Sequence, residues 1–193
     1  LKVDKKDAEP TDAFLKIEGL TVPSKRHKNN AVKDVSFEVR RGEIVCVAGI
    51  DGNGQTELIN ALTGLEKPSG GKITLGGRDI TKLSVRKRGN AGMSHIPEDR
   101  HKYGLILDFS LQENLVLQRY YEPRFQKLGF IRREAVREYA DELIERFDVR
   151  SGQGADTKVR SMSGGNQQKA IIAREIDRNA DLLVAVQPTR GLD

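Results

Sequence analysis

Gly49, Asp51, Gly52, Asn53, Gly54, Gln55, Thr56 and Glu57 stand in one stretch, GIDGNGQTE. Closely spaced glycines let a backbone turn so that successive N–H groups converge on one point, the geometry that cradles a phosphate. A helix starting where the loop ends adds its positive end. A phosphate loop of the form G-x-x-x-x-G-K-[ST] carries a lysine where this chain has Gln55. The cradle survives that replacement, but the point charge that reaches the β- and γ-phosphates does not. Thr56 keeps the hydroxyl that faces Mg2+ in such loops. A second glycine pair, in Ser163-Gly164-Gly165-Asn166-Gln167, also precedes a helical pattern. Exposed N–H groups, a helix dipole and the Ser163 hydroxyl form an anion site there. The same residues serve equally as a flexible loop with a helix cap.

These residues need elements to position them. The apolar run Ile44 to Ala48 reads as a strand entering the loop, and Leu58, Ile59 and Leu62 mark the helix leaving it. Before them, 14–20 and 31–40 alternate apolar and polar residues as half-buried strands do, and 22–30 reads as a basic loop. After them come a short strand at 72–75, a short helix within 80–89 and a buried strand at 92–96. The pattern then turns helical over 111–121 and 132–148, where Ala135, Tyr139, Leu143 and Phe147 fall on one stripe. The helix opened at 161–168 continues through Ile176, and Asp181 to Val186 reads as an all-apolar strand of buried-sheet type.

The order of these motifs resembles the ATP-binding domain of ABC transporters. MSGGNQQK looks like that family's signature, in the form found in sugar and nucleoside importers. QPTRGLD looks like the segment joining the Walker B strand to the D-loop, and IPEDRHKYGLILDFSLQENL resembles the Q-loop region. The nearest resemblance is to the second, C-terminal nucleotide-binding domain of the tandem ATPase of simple-sugar or purine-nucleoside importers, and it covers nearly all of the chain after Ala13.

It implies an α/β fold: a P-loop NTPase (RecA-like) core with an N-terminal antiparallel β subdomain and an inserted α-helical subdomain. The expected division is a linker at 1–13, β subdomain and P-loop core at 14–98, helical subdomain at 99–155, and signature helix, Walker B strand and D-loop at 156–193. A stop at Asp193 is expected to leave the core sheet with an exposed edge. It also leaves the family's switch histidine outside the chain, since His27, His95 and His101 stand at other positions.

Set against this pattern, the chain departs at the positions that do chemistry. Gln187 occupies the place of the catalytic glutamate, and a neutral amide cannot take a proton from water. Val186 occupies the place of the Walker B aspartate and offers no oxygen to Mg2+. Glu98 stands where the Q-loop has glutamine. The segment TVPSKRHKNN just before Ala31 has no aromatic residue to stack on adenine. The losses at Gln55, Val186 and Gln187 together predict that ATP and Mg2+ bind weakly or not at all at this domain's own loop and are not hydrolysed there. Ser163, Gly164 and Gly165, supported by Asn166 and Gln167, are then expected to serve the ATP of the first domain in trans. Gly191, Leu192 and Asp193 form the D-loop at the seam between domains.

Composition sets the outer bounds. Apolar residues make up 37% and charged residues 32% of the 193, as in a soluble globular protein. The start has no apolar core of a signal peptide, and no apolar run is long enough to span a bilayer. One cysteine, Cys46, excludes an internal disulfide, fits a reducing cytoplasm and reads as a small core residue. The net charge of +5 gathers at 25–28, 86–88 and 132–133, and without interleaved aromatics these clusters read as solvated surface rather than a nucleic-acid face.

The expected partners are the first nucleotide-binding domain of the same polypeptide, transmembrane permease subunits and, indirectly, an extracytoplasmic substrate-binding protein, with no nucleic acid. The expected place is the cytoplasm, peripheral at the inner face of the membrane. A non-transport ABC ATPase of DNA repair or the ribosome, a regulatory nucleotide-binding module and an active stand-alone ATPase are the alternatives.

Overall fold

The alternation of FLKIEGL becomes β1 (Ala13–Pro23), with Leu15 and Ile17 buried, and then Leu20 and Val22 buried in the opposite phase. Gly19 absorbs the change of phase: its φ is 59°, and the pairing register shifts between Ile17 and Leu20. β1 pairs antiparallel with β2 (Asn30–Arg40) and β3 (Gly70–Leu75), and β4 (Arg78–Asp79) extends the sheet in the order β2-β1-β3-β4. The computed structural model describes residues 7–24, 30–50 and 52–192, in two units divided between Gly92 and Met93. The expected basic loop at 22–30 lies largely outside the described residues, with Val22 and Pro23 closing β1.

In the first unit, α1 (Gln55–Thr63) buries Leu58, Ala61 and Leu62 and ends on Gly64, whose φ of 86° permits the left-handed stop. α2 (Val85–Asn90) supplies a residue misread from the sequence. Arg88, counted there with the solvated charges, is 2% exposed. Its guanidinium donates to the carbonyls of Ala61 (2.6 Å), Leu62 (2.5 Å), Thr81 (2.8 Å) and Leu83 (3.0 Å). Carbonyls at a helix C-terminus lack intrahelical donors, and the negative helix end favours a cation, which is why an arginine tolerates burial there.

The run Ile44 to Ala48 forms no strand. Ile44 is 89% exposed and Val47 47%, and Cys46, expected in the core, is exposed as well. Among the described residues no strand pairs with this run. An extended segment without a neighbour has neither a hydrogen-bond ladder nor a sheet face to cover its side chains.

The second unit is built around a parallel pair, β5 (Met93–Ile96) with β8 (Leu182–Ala185), Met93 opposite Leu182 and Ile96 opposite Ala185. β8 is less buried than its composition implies: Val184 is inward, but Leu183 is 44% exposed. Among the described residues its one strand partner is β5.

The helical part holds α3 (Leu111–Val116), a hairpin of β6 (Gln126–Lys127) and β7 (Phe130–Ile131), and α4 (Arg133–Arg146). Leu111, Leu115, Phe125, Val136, Tyr139, Ala140 and Leu143 form its core. α3 stops at Val116 instead of reaching 121, and turns closed by Val116, Arg119 and Glu122 carry the chain onward. Pro123 disfavours helix at Glu122, and Arg119 is drawn away to ion pairs with Glu122 (2.9 Å) and Asp177 (3.1 Å). In α4, Tyr139 and Leu143 are buried as the stripe predicts, while Ala135 and Phe147 lie at its margins. α5 (Gly164–Asp177) crosses this core with Ala170, Ile171 and Ala173 buried.

Candidate functional site

The glycine-rich loop holds two glycines in the left-handed region, and the Gln55 side chain turns back onto its backbone. Gly52 and Gly54 take φ values of 87° and 93°, and Leu58 N–H donates to the Gly54 carbonyl at 2.9 Å, starting α1. Gln55 folds back over the loop: its Nε2 donates to the Ile50 carbonyl at 3.2 Å and packs where a side chain on Gly49 would project. An amide thus takes the place of a lysine ammonium and turns inward, to the loop's own backbone. Thr56 is exposed, and Glu57 places a carboxylate in the first helical turn, where it answers the helix dipole an anion would otherwise use. Asn53 is exposed, with its N–H on the Ile50 carbonyl at 3.2 Å; Asp51 lies outside the described residues.

The second glycine pair is differently built. Ser163 caps α5: its Oγ accepts from Asn166 N–H (3.4 Å) and from Asn166 Nδ2 (3.0 Å). Asn166 Oδ1 in turn accepts from the Arg150 N–H at 2.8 Å. Gln167 is buried; its Nε2 donates to the Val159 carbonyl at 2.9 Å, and its Oε1 lies 2.9 Å from His101 Nε2. Gly164 and Gly165 stay partly open at the helix start, with no acidic residue in the first turn of α5.

The structure brings the 187–192 segment against this helix start. A Cβ on Gly165 would lie 2.7 Å from the Gly191 carbonyl oxygen, and Gln168 Nε2 donates to the Pro188 carbonyl at 2.9 Å. Gln187 is exposed and held at φ 46°, closing a turn with Arg190 (3.0 Å), and Leu192 N–H closes the next on Thr189 (3.0 Å). Val186 N–H donates to the Ile96 carbonyl at 3.0 Å, so its register continues β8 with an aliphatic side chain. Glu98 is exposed two residues after β5. Asp193 lies outside the described residues.

Thr56 offers one hydroxyl beside the loop, and no group of three His, Cys, Asp or Glu among the described residues is placed to hold a metal ion.

Sequence reasoning missed a buried polar network behind α5. Glu175 and Arg174 are both 1% exposed and paired at 2.9 Å. Glu175 also accepts from Gln118 Nε2 (2.7 Å) and the His95 N–H (3.3 Å), and Arg174 donates to the Asn114 carbonyl (3.2 Å). Tyr139 donates to Asp177 at 2.9 Å, and burial pushes its pKa up to about 12. Burial also lowers the pKa of His95, against the opposing pull of Glu175. The spacing of these residues gave no sign of the network, because its members come from four separate elements.

The family model for ABC transporters matches residues 32–190. The chain is 51% identical over 192 residues to the guanosine import ATP-binding protein NupO of Bacillus subtilis, covering 100% of this chain and 37% of that protein. It is 52% identical over 190 residues to the nucleoside import ATP-binding protein NupA of Lactococcus lactis, covering 98% of this chain and 37% of that one. It therefore spans little more than a third of the length of these two relatives. Among solved structures, the dimer of a bacterial ABC transporter cassette superposes with a TM-score of 0.75 at 24% identity, over 93% of this chain and 76% of that one, and shares the fold. The P-loop NTPase cassette fold, the glycine-rich loop at 49–56 and the signature at 163–167 converge on one assignment: the chain belongs to the ABC transporter family.

Proposed function

We propose that this chain is the second nucleotide-binding domain of a tandem ATPase that powers import of nucleosides or simple sugars. Its own loop is degenerate, and it donates its signature to the ATP held by the first domain. The observation that carries the reading is an asymmetry between two glycine loops. Gln55 bonds the loop it should open, and Val186 and Gln187 remove metal ligand and base. Ser163 caps the second loop's helix, Gln167 is buried and hydrogen-bonded beneath it, and Gly164 and Gly165 stay partly open.

Loss of a general base alone typically costs ~10²–10⁴-fold. ATP and Mg2+ then belong to the paired site, and closure of the pair on ATP is the step coupled to transport. The subdomain at 99–155 carries that coupling. Tyr103 (41% exposed), Ile106 (39%) and Phe109 (41%) give it an apolar face for a cytoplasmic segment of the permease. The nucleoside and guanosine importers at about half identity favour a nucleoside as cargo. The protein then sits on the inner face of the membrane through its permease.

The test is ATP turnover in the two-domain protein. Ser163→Arg abolishes it and Gln55→Ala leaves it nearly unchanged; equal loss from both changes contradicts the trans-signature reading.

A further inference from the structure

The five-residue π-helical turn Arg100–Gly104 lies lengthwise along one face of α5. A Cβ on Gly164 would lie 2.7 Å from an Arg100 Nη2; His101 Nε2 meets Gln167 Oε1 at 2.9 Å; a Cβ on Gly104 would lie 2.6 Å from Ile171 Cδ1. Positions 164, 167 and 171 step by three and four, so they form a single helical stripe. The turn is itself fixed at its start, where the Asp99 carboxylate accepts from the N–H groups of His101 and Lys102, each at 3.0 Å.

Arg100 is the member that reaches furthest. Its guanidinium covers Gly164 and also stands 3.6 Å from where a Cβ of Gly191 would be, while Gly165 packs on the Gly191 carbonyl. Among the described residues the guanidinium makes no hydrogen bond or ion pair, so contact alone holds the plane in place. Two features make this arrangement unlike ordinary surface packing. A cation beside a helix N-terminus opposes the helix dipole. And a Cβ at position 164 would force its terminal Nη2 to shift.

From this geometry we infer that Arg100 is a positioning residue for the signature: its planar side chain sets Gly164 and Gly165 against Gly191. It acts through these glycines and needs no contact with the nucleotide. The inference rests on the proposed function, because it gives Arg100 a role only if the signature serves an ATP site. A guanidinium plane spanning two backbone segments has no equivalent in lysine, whose ammonium is a point charge on a flexible stem.

The experiment is steady-state ATP turnover of the two-domain protein, with kcat and KM read separately and melting followed in parallel. Arg100→Ala lowers kcat at least about tenfold, as sub-ångström misplacement of a catalytic surface does. KM for ATP stays within about twofold, because the nucleotide is held by the other domain's loop, and melting shifts by no more than about 2 °C. Arg100→Lys does not restore kcat. Gly164→Ala lowers kcat as well, and the Arg100→Ala/Gly164→Ala double variant is no worse than the poorer single, since the clash has lost one partner.

Normal kcat in Arg100→Ala, full rescue by lysine, or losses that multiply in the double variant would each overturn the role of Arg100. A fall in kcat that tracks a large fall in melting temperature would do the same, because it would reduce the residue to a structural one. Ser163→Arg separates the two levels. If it is inactive while Arg100→Ala is normal, the signature reading stands and the Arg100 role falls. If Ser163→Arg is itself active, both fall.

Discussion

Two charged or titratable side chains, Arg88 and His95, owe their behaviour to burial that no local spacing announces. Arg88 satisfies four carbonyls, two at the end of α1 and two in the segment before α2, so removing it strands acceptors at a buried helix terminus. Arg88→Ala is expected to destabilise the first unit by ~1–3 kcal/mol, read as a shift in the denaturation midpoint. A loss under ~1 kcal/mol would mean that water replaces the guanidinium at those carbonyls. His95 predicts a pH effect. Its Nε2 is buried with no partner among the described residues, and burial holds its pKa below the ordinary 6.5. The neutral ring is therefore favoured by folding. That contribution is complete above pH 6.5 and is lost as the pH falls below it toward the lowered folded value. Between pH 7 and 5.5 stability should decline, and His95→Gln should flatten the decline; an equal slope in the variant would assign it to other groups.

At the scale of elements, what could be read in the sequence and what could not divide by the range of the cause. β1 and β2 followed from two-residue alternation, α4 from the stripe through Tyr139 and Leu143, and the start of α5 from Ser163 before a glycine pair. The alternation, the stripe and the cap that announce them are each patterns within a turn or two of chain. The run Ile44 to Ala48 reads as a strand by composition but is exposed and unpaired, because a strand depends on a neighbour that its own residues do not specify. The same holds for β8, whose apolar composition overstates its cover. The π-helical turn at Arg100 was likewise invisible, since its place depends on α5 more than sixty residues later. Of the site, the residue types at 55, 98, 186 and 187 were legible by position. The inward fold of Gln55 and the docking of Gly191 on Gly165 were not. Local capping gives a direct check. Ser110 and Glu113 form a reciprocal cap on α3, with the Ser110 N–H donating to Glu113 at 2.7 Å. Ser110→Ala should cost ~1 kcal/mol in a melt of the chain; no change would mean that Glu113 alone sustains the helix start.

For the molecule as a whole, exposed apolar residues lie on a run that no strand among the described residues pairs with. Ile44 and Ile50 are 89% and 78% exposed, a run that an extended partner can join. Ile44→Lys should change stability by less than ~0.5 kcal/mol in a denaturant melt, as at an exposed position; a larger loss would mean that the run is covered in solution. The central claim is that the chain's catalytic contribution lies in the Ser163 loop and not in the Gln55 loop. ATP hydrolysis by the chain alone, and then mixed with the first nucleotide-binding domain, tests it most directly. The account predicts no turnover alone, clear turnover in the mixture, and its loss with Ser163→Arg. Turnover by the chain alone would contradict the account and would require a base other than Gln187.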